Sequence, residues 1–134
     1  MEKIIVEVAY TGKNYSAHIP VLPGVITTGD NIDEIEQNMK EALPFHLEGQ
    51  KESDGIIPDA FKGEYELVFK LSVEAFLNAY SDVFTKAALS RITGINERQL
   101  WHYAAGVRKP RPAQRKRIED GIRQLAGKLL SLEL

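Results

Sequence analysis

The sequence predicts an α+β protein in which a β-β-β-α-β half is followed by an all-α half. Apolar and polar residues alternate over much of residues 1–70, whereas apolar residues recur with a helical period after residue 71. The charge changes at the same place. Residues 1–70 carry 6 Lys, no Arg and 13 acidic residues (−7), and residues 71–134 carry 11 Lys and Arg and 6 acidic residues (+5). We therefore expect two domains, 1–70 and 71–134.

Four strands and one helix are predicted in residues 1–70. Runs of β-branched or alternating residues, separated by turn-forming residues, predict strands at 4–9, 15–19, 25–28 and 65–71. Asn31 followed by Glu34 is a capping box that starts the helix. Pro44 is expected to kink this helix or to end its regular part. Residues 49–63 are polar, with Gly and Pro, and predict a loop.

Four helices are predicted in residues 71–134. Ser72 is expected to cap the first, Thr85 the second (86–92) and Asn96 the third (97–105). A last helix follows Pro112 and has apolar residues at helical spacing: Ile118, Ile122, Leu125, Leu129 and Leu132. The aromatic residues Phe76, Tyr80 and Phe84 are expected in the core.

The third helix has the features of one that enters a DNA major groove. On a helical wheel Leu100, Tyr103 and Ala104 share the buried face, which Val107 is expected to continue, while Arg98 and His102 lie opposite. Arg can bind guanine O6/N7, and Gln can bind adenine N6/N7. With the preceding helix and the short turn, the spacing is that of a helix-turn-helix. The predicted DNA-binding residues are Lys86, Asn96, Glu97, Arg98, Gln99, Trp101, His102, Arg108, Lys109 and Arg111. Core packing remains the alternative for Trp101.

Residues 72–126 resemble the phage-repressor (Cro-like, XRE) helix-turn-helix family. The resemblance lies in the stretch TKAALSRITGINERQLWHYAAGVRKP, through Ala88, Leu89, Gly94-Ile95, Leu100, Tyr103 and Gly106. Two positions depart from the family pattern, because Lys86 replaces the usual Gln and Trp101 replaces a small polar residue. The resemblance implies binding of operator DNA as a two-fold dimer.

Residues 15–48 resemble the HicB antitoxin family. The matching residues are Tyr15, Ala17 and Pro20, Leu22 to Gly24, Thr27 to Asp30, Asn38, Glu41 to Leu43, and Leu47-Glu48. The resemblance implies a partial ribonuclease-H-like fold for residues 1–70. It also implies direct neutralisation of a HicA-type toxin, an mRNA interferase, and repression of the protein's own operon at operator DNA. The negative charge of residues 1–70 would complement a basic protein partner.

The sequence bears on two other function classes. A nuclease would need clustered carboxylates, but Asp30 and Glu34 fit helix-start chemistry and Glu7 fits a solvent-facing strand position. His18, His46 and His102 lack metal-ligand spacing. We therefore expect no enzyme activity, no catalytic or metal-binding residue, and no cofactor. A solitary helix-turn-helix transcriptional regulator, whose N-terminal domain senses a ligand or a protein, stays open.

The leucines near the C-terminus predict self-association. They exceed what a small helical domain can cover, which indicates a homodimer or a higher even oligomer formed through Leu125, Leu129, Leu130 and Leu132. The chain has no cysteine and no apolar stretch near the roughly 20 residues that span a bilayer. These features predict a cytoplasmic protein with no membrane partner.

Overall fold

The computed structural model describes residues 1–53 and 55–134, and over these residues it confirms a mixed α+β protein. The described chain contains four strands in one sheet and five α-helices. The elements are β1 (Glu2–Tyr10), β2 (Tyr15–His18), β3 (Ile26–Gly29), α1 (Ile32–Glu52), a short 3₁₀ helix (Asp59–Phe61), β4 (Tyr65–Leu71), α2 (Val73–Ala79), α3 (Lys86–Thr93), α4 (Glu97–Ala104) and α5 (Pro112–Leu130). The chain divides into two units, Met1–Ala75 and Phe76–Leu134.

The sheet of the first unit has the strand order β3-β2-β1-β4. Strand β1 pairs antiparallel with β2 and parallel with β4. A parallel pair cannot be closed by a tight turn, so the chain has to cross the sheet between the two strands. Helix α1 lies within this crossover and packs on β2 and β3.

One face of the sheet forms the core of the first unit. Alternate residues of β1, Ile4, Val6 and Val8, are buried, whereas Ile5 and Glu7 between them are exposed. Helix α1 buries an equivalent stripe, Ile35, Met39 and Leu43, at a spacing of four residues. Each side chain of this size contributes about 1.5–3 kcal/mol when it is removed from water.

The start of α1 confirms the predicted cap. The side-chain oxygen of Asn31 accepts a hydrogen bond from the backbone N–H of Glu34 at 2.8 Å, and the Asn31 side-chain amide donates to Glu34 Oε2 at 3.1 Å. The preceding Gly29 leaves room for this turn, because a Cβ there would lie 3.0 Å from the backbone nitrogen of Ile35. Strand β3 runs to Gly29 and starts at Ile26, one residue later than predicted.

The prediction of a loop from residue 49 is wrong at its start, because α1 continues through Pro44 to Glu52. Pro44 is exposed, so water can satisfy the carbonyl that loses its helical partner, while the neighbouring Leu43 is buried and anchors the helix. The rest of the predicted loop contains the short 3₁₀ helix, which buries Phe61. Asp54, also in that stretch, lies outside the described residues.

Helices α3 and α4 start at the predicted caps and end within one residue of the predicted positions. The Thr85 hydroxyl accepts from the Ala88 N–H at 3.0 Å, and Asn96 Oδ1 accepts from the Arg98 N–H at 2.8 Å. Gly94, at φ 74°, ends α3 in the left-handed conformation that glycine tolerates best. Three residues, Gly94 to Asn96, therefore connect α3 to α4.

The core of the second unit forms where α3 packs against both α4 and α5. Leu89, Leu100 and Ile118 are buried, one from each of these helices. The aromatic residues behave less uniformly than predicted. The rings of Phe76 and Tyr80 lie 5.3 Å apart, but Tyr80 is 38% exposed, and Phe76 and Phe84 are half-buried.

Helix α5 approaches α3 at a glycine. A Cβ built on Gly121 would lie 2.6 Å from the backbone carbonyl oxygen of Ile92, closer than real Cβ contacts come. That neighbour is backbone and cannot rotate away. By contrast, a Cβ on Gly127 in the same helix meets nothing within 4 Å.

We predict that Gly121→Ala destabilises the helical unit by about 1–3 kcal/mol, because α5 has to move away from α3. Gly127→Ala is the matched control and should stabilise by about 0.5–1 kcal/mol, as alanine has the better helix propensity. Trp101 is the sole tryptophan, so urea unfolding followed by its fluorescence reports on this unit. Equal stabilities for the two variants would contradict the close α3–α5 approach.

Candidate nucleic-acid interface

Helix α4 has one buried side and one exposed side. Leu100 and Tyr103 are buried, while Arg98 is exposed and Trp101 is 56% exposed. His102 is half-buried. This division follows the predicted helical wheel, and it places the Trp101 side chain largely in solvent instead of in the core.

Val107 does not continue the buried face as predicted, because it is 68% exposed. Helix α4 ends at Ala104, and Gly106 takes a left-handed conformation with φ 75°. The chain therefore leaves the helical path before Val107, and the helical period no longer decides which residues are buried.

The first turn of α4 uses two of the predicted DNA-binding residues for its own stability. Asn96 caps the helix through the Arg98 N–H. Glu97 is exposed in the first turn, where the partial positive charge of the helix N-terminus favours a carboxylate. Arg98 is the first residue of the helix with a long, exposed, cationic side chain.

Gln99 is held in place by a neighbour on the same helix. Its side-chain amide donates a hydrogen bond to the hydroxyl oxygen of Tyr103 at 3.0 Å, and Tyr103 is itself buried. The contact restricts the side chain to one orientation and occupies one donor of the amide.

Lys86, predicted as a phosphate contact, is placed against an aromatic ring. Its side-chain nitrogen lies 4.5 Å from the centre of the Trp101 ring, and the residue is only 6% exposed. Such a cation–π contact is worth about 0.5–2 kcal/mol. In this arrangement the Lys86 charge supports the indole of Trp101, and its ammonium has to leave the ring before it can contact a phosphate.

The basic residues that follow α4 are exposed. Arg108, Lys109 and Arg111 lie between the end of α4 and the start of α5. They line a groove of about 690 Å³ together with Gln99 and Tyr103 of α4.

A second groove, of about 480 Å³, adjoins the first and shares Gln99, Arg108 and Gln114 with it. Arg98, His102, Arg108 and Arg117 line it, with the turn between α3 and α4. Among the residues that the structure describes, no carboxylate lines either groove. Two neighbouring grooves with arginine and lysine and without acidic residues form a surface that attracts polyanions.

Arg117 is a member of this surface that the sequence analysis did not identify. Its guanidinium donates to the backbone carbonyl of Gly94 at 2.9 Å and to Gln114 Oε1 at 3.1 Å. It thereby fixes the turn that precedes α4 and keeps a positive charge beside Arg98. A signal was present in the sequence, since three consecutive basic residues, 115–117, near the N-terminus of a helix oppose the helix dipole and need another role.

The leucines predicted to form a dimer interface are largely exposed. Leu125 is half-buried, Leu129 and Leu132 are more than half exposed, and Leu130 is 88% exposed. Leu132 was predicted to belong to the helical stripe, but it lies beyond the end of α5.

A pair of titratable side chains lies on the open face of the sheet. Glu7 and His18 are neighbours on the exposed sheet face, with the His18 Nε2 3.5 Å from the carboxylate. Within residues 1–53 and 55–134 no three His, Asp or Glu side chains are grouped so that they could hold a metal ion. No helix of that part is both long and apolar enough to cross a membrane.

Comparison with known proteins identifies the family to which the chain belongs. The family model of HicB-like antitoxins of bacterial toxin–antitoxin systems matches residues 3–83, and the chain belongs to this family. An uncharacterised 14.9 kDa protein from the rep–hol intergenic region of Haemophilus phage HP1 (strain HP1c1) is 41% identical over 44 residues. That match spans about a third of this chain and a third of the phage protein. No solved structure matches the chain.

Proposed function

We propose that this protein is the antitoxin of a type II toxin–antitoxin pair. It neutralises a HicA-type mRNA interferase by direct binding and represses its own operon by binding double-stranded operator DNA. Both partners belong to the cytoplasm, and the protein needs no catalytic residue or cofactor for either task. Membership of the HicB-like antitoxin family is the observation that carries this proposal.

The two tasks are assigned to the two halves of the chain. Residues 1–70 form a partial ribonuclease-H-like domain that binds the toxin, and residues 71–134 form a phage-repressor-like helix-turn-helix domain that binds DNA and dimerises. The mixed sheet with α1 in its crossover supports the first assignment. Helices α3 and α4, joined by three residues, with α5 packed on α3, support the second.

Charge supports the same division of tasks. A half with formal charge −7 attracts a basic protein and repels nucleic acid, and a half with charge +5 does the opposite. Placing both tasks on one half would set the toxin and the DNA in competition for one surface.

The DNA-binding residues have different roles in this proposal. Arg98 is exposed at the start of α4 and reads a base edge, with Gln99 beside it in a fixed orientation. Arg108, Lys109 and Arg111 neutralise phosphates and set the position of the domain on the duplex. Trp101 contacts the DNA from an indole that Lys86 supports.

Operator binding also explains the exposed leucines. A helix-turn-helix domain that binds a palindromic site works as a two-fold dimer. The exposed leucines at the end of α5 provide an apolar surface that two copies can bury against each other.

We predict that Arg98→Ala weakens binding to the operator by about 1–3 kcal/mol and relaxes the preference at one base pair. Lys109→Ala should weaken binding to operator and scrambled duplexes alike and should lower the salt slope by about one unit. Titrations on both duplexes at several salt concentrations measure these effects. Neither variant should lose toxin binding, since that belongs to the acidic half.

Equal losses on operator and scrambled DNA for both variants would contradict the base-reading role of Arg98. In that case α4 would contact phosphates alone, and sequence preference would have to come from DNA shape.

We also predict that a chain truncated after Lys128 dimerises more weakly than the full chain, because the truncation removes Leu129, Leu130 and Leu132. The residues of α3 and α4 are untouched, so weakened operator binding would follow from lost dimerisation. Sedimentation velocity over a range of concentrations measures the change. An unchanged dimer would place the interface elsewhere, most simply at the free edge strand β3.

A further inference from the structure

The outer face of α1 carries an aromatic side chain that the fold does not bury. Phe45 is 84% exposed, more than any other aromatic residue of the described chain. It lies on the side of α1 away from Ile35, Met39 and Leu43. Leaving a Phe in water forgoes about 1.5–3 kcal/mol of burial, which a partner that covers the ring would recover.

Carboxylates surround Phe45 on the same face. At about 100° per residue, Glu41 is one turn before Phe45, Glu48 one turn after it and Glu52 two turns after it. All three are exposed. The helix lysines, Lys40 and Lys51, lie about 120–140° around the axis from Phe45.

These carboxylates have no cationic partner within the described chain. None of Glu41, Glu48 and Glu52 forms an ion pair there, and the one contact of Glu41 is a hydrogen bond accepted from Gln37 at 2.8 Å. Glu48 and Glu52 are like charges four residues apart, which weakens an isolated helix by about 0.2–0.5 kcal/mol. A basic surface placed on this face would relieve the repulsion and cover the ring at once.

We propose that this face, Phe45 with Glu41, Glu48 and Glu52, is the docking surface for a basic protein partner, the toxin of the proposed pair. The inference rests on the proposed function and adds the place of contact. The partner accepts the Phe45 ring in an apolar recess and surrounds it with Lys and Arg side chains that face the carboxylates. An exposed aromatic anchor inside a charged rim is the usual arrangement of an interface hot spot.

Charge argues against the other occupants of the same face. In a two-fold dimer each copy contributes the same patch, so a second copy would bring two sets of carboxylates together. Nucleic acid is repelled by the same charge.

The test uses the full chain and, as the probe, a catalytically inactive form of the protein encoded in the neighbouring reading frame, the proposed toxin. Phe45→Ala should weaken the complex about 30-fold or more, the loss expected at a hot spot. The control is Ile26→Ala, which removes a side chain of similar exposure (69%) from the same unit. Ile26 lies on the open sheet face, away from α1, because it alternates with Thr27, the partner of buried Ala17. The control should change the affinity less than about threefold.

A second pair of variants tests the charge. Glu41→Gln combined with Glu48→Gln should slow association about tenfold at low salt, and the difference should shrink towards 1 M salt, where the screening length is about 3 Å. Glu64→Gln, which removes an exposed carboxylate outside α1, should leave the association rate within about twofold. Circular dichroism melts should show every variant folded, with stability changes of no more than about 1 kcal/mol, because all the side chains concerned are exposed.

The outcomes separate this inference from the function on which it rests. If the unaltered chain fails to bind the neighbouring protein, the proposed function fails and the docking surface fails with it. If the unaltered chain binds and Phe45→Ala binds equally well, the docking surface alone is wrong. A changed oligomeric state of Phe45→Ala with normal partner binding would assign the face to a second copy and overturn the inference.

Discussion

The parallel pairing of β1 with β4 is the constraint on which the first unit depends. Seven residue pairs, from Glu2↔Tyr65 to Val8↔Leu71, join strands that are more than fifty residues apart in the chain. The Val8 carbonyl also accepts the Ser72 N–H at 3.0 Å, so the ladder reaches the start of α2. Between the two strands the chain first adds β2 and β3 to one side of the sheet and then returns through α1, as a parallel pair requires. Because α1 covers the sheet with one face, its other face stays in solvent, and there Phe45 and its carboxylates are exposed.

A comparable constraint organises the second unit. Gly121 lets α5 approach the backbone of α3 at Ile92, and from α5 Arg117 reaches the Gly94 carbonyl. The turn before α4 is thus fixed by the Arg117 side chain of α5 as well as by the Asn96 cap. A rigid turn fixes the direction in which α4 presents Arg98. The proposed DNA binding therefore depends on packing behind the helix as much as on the residues in front of it.

The sequence predicts best what is decided locally. Asn31, Thr85 and Asn96 cap helices as expected, because a cap needs only a suitable side chain and a backbone N–H two or three residues away. The alternation of apolar and polar residues predicts β1 and β4 for a similar reason, since it too is a local property of the sequence. The residues that the sequence misplaces depend on contacts distant in the chain or on where a helix stops. Lys86 is buried with its ammonium against the Trp101 ring of another helix, and Val107 is exposed because Gly106 ends the helical path.

The length of α1 shows how one residue can mislead a local argument. Pro44 and Gly49 both favour an end to the helix, yet it continues to Glu52. Burial decides the matter, since Pro44 faces water while Leu43 before it is buried and Leu47 after it is half-buried. The extended helix adds Glu48 and Glu52 to the exposed face. A helix that ended at Pro44 would have left Phe45 in a loop, without a regular acidic rim.

Co-expression with the protein encoded in the neighbouring reading frame is the most direct measurement of the central claim that this chain is an antitoxin. Growth and intact mRNA are followed in cells that make the neighbouring protein alone, with this chain, and with its Arg98→Ala variant. We expect the neighbouring protein alone to stop growth and to degrade mRNA, and we expect both forms of this chain to restore growth and to co-purify with it. A neighbour that is harmless, or a toxic neighbour that this chain neither binds nor neutralises, would contradict the claim and favour a solitary transcriptional regulator.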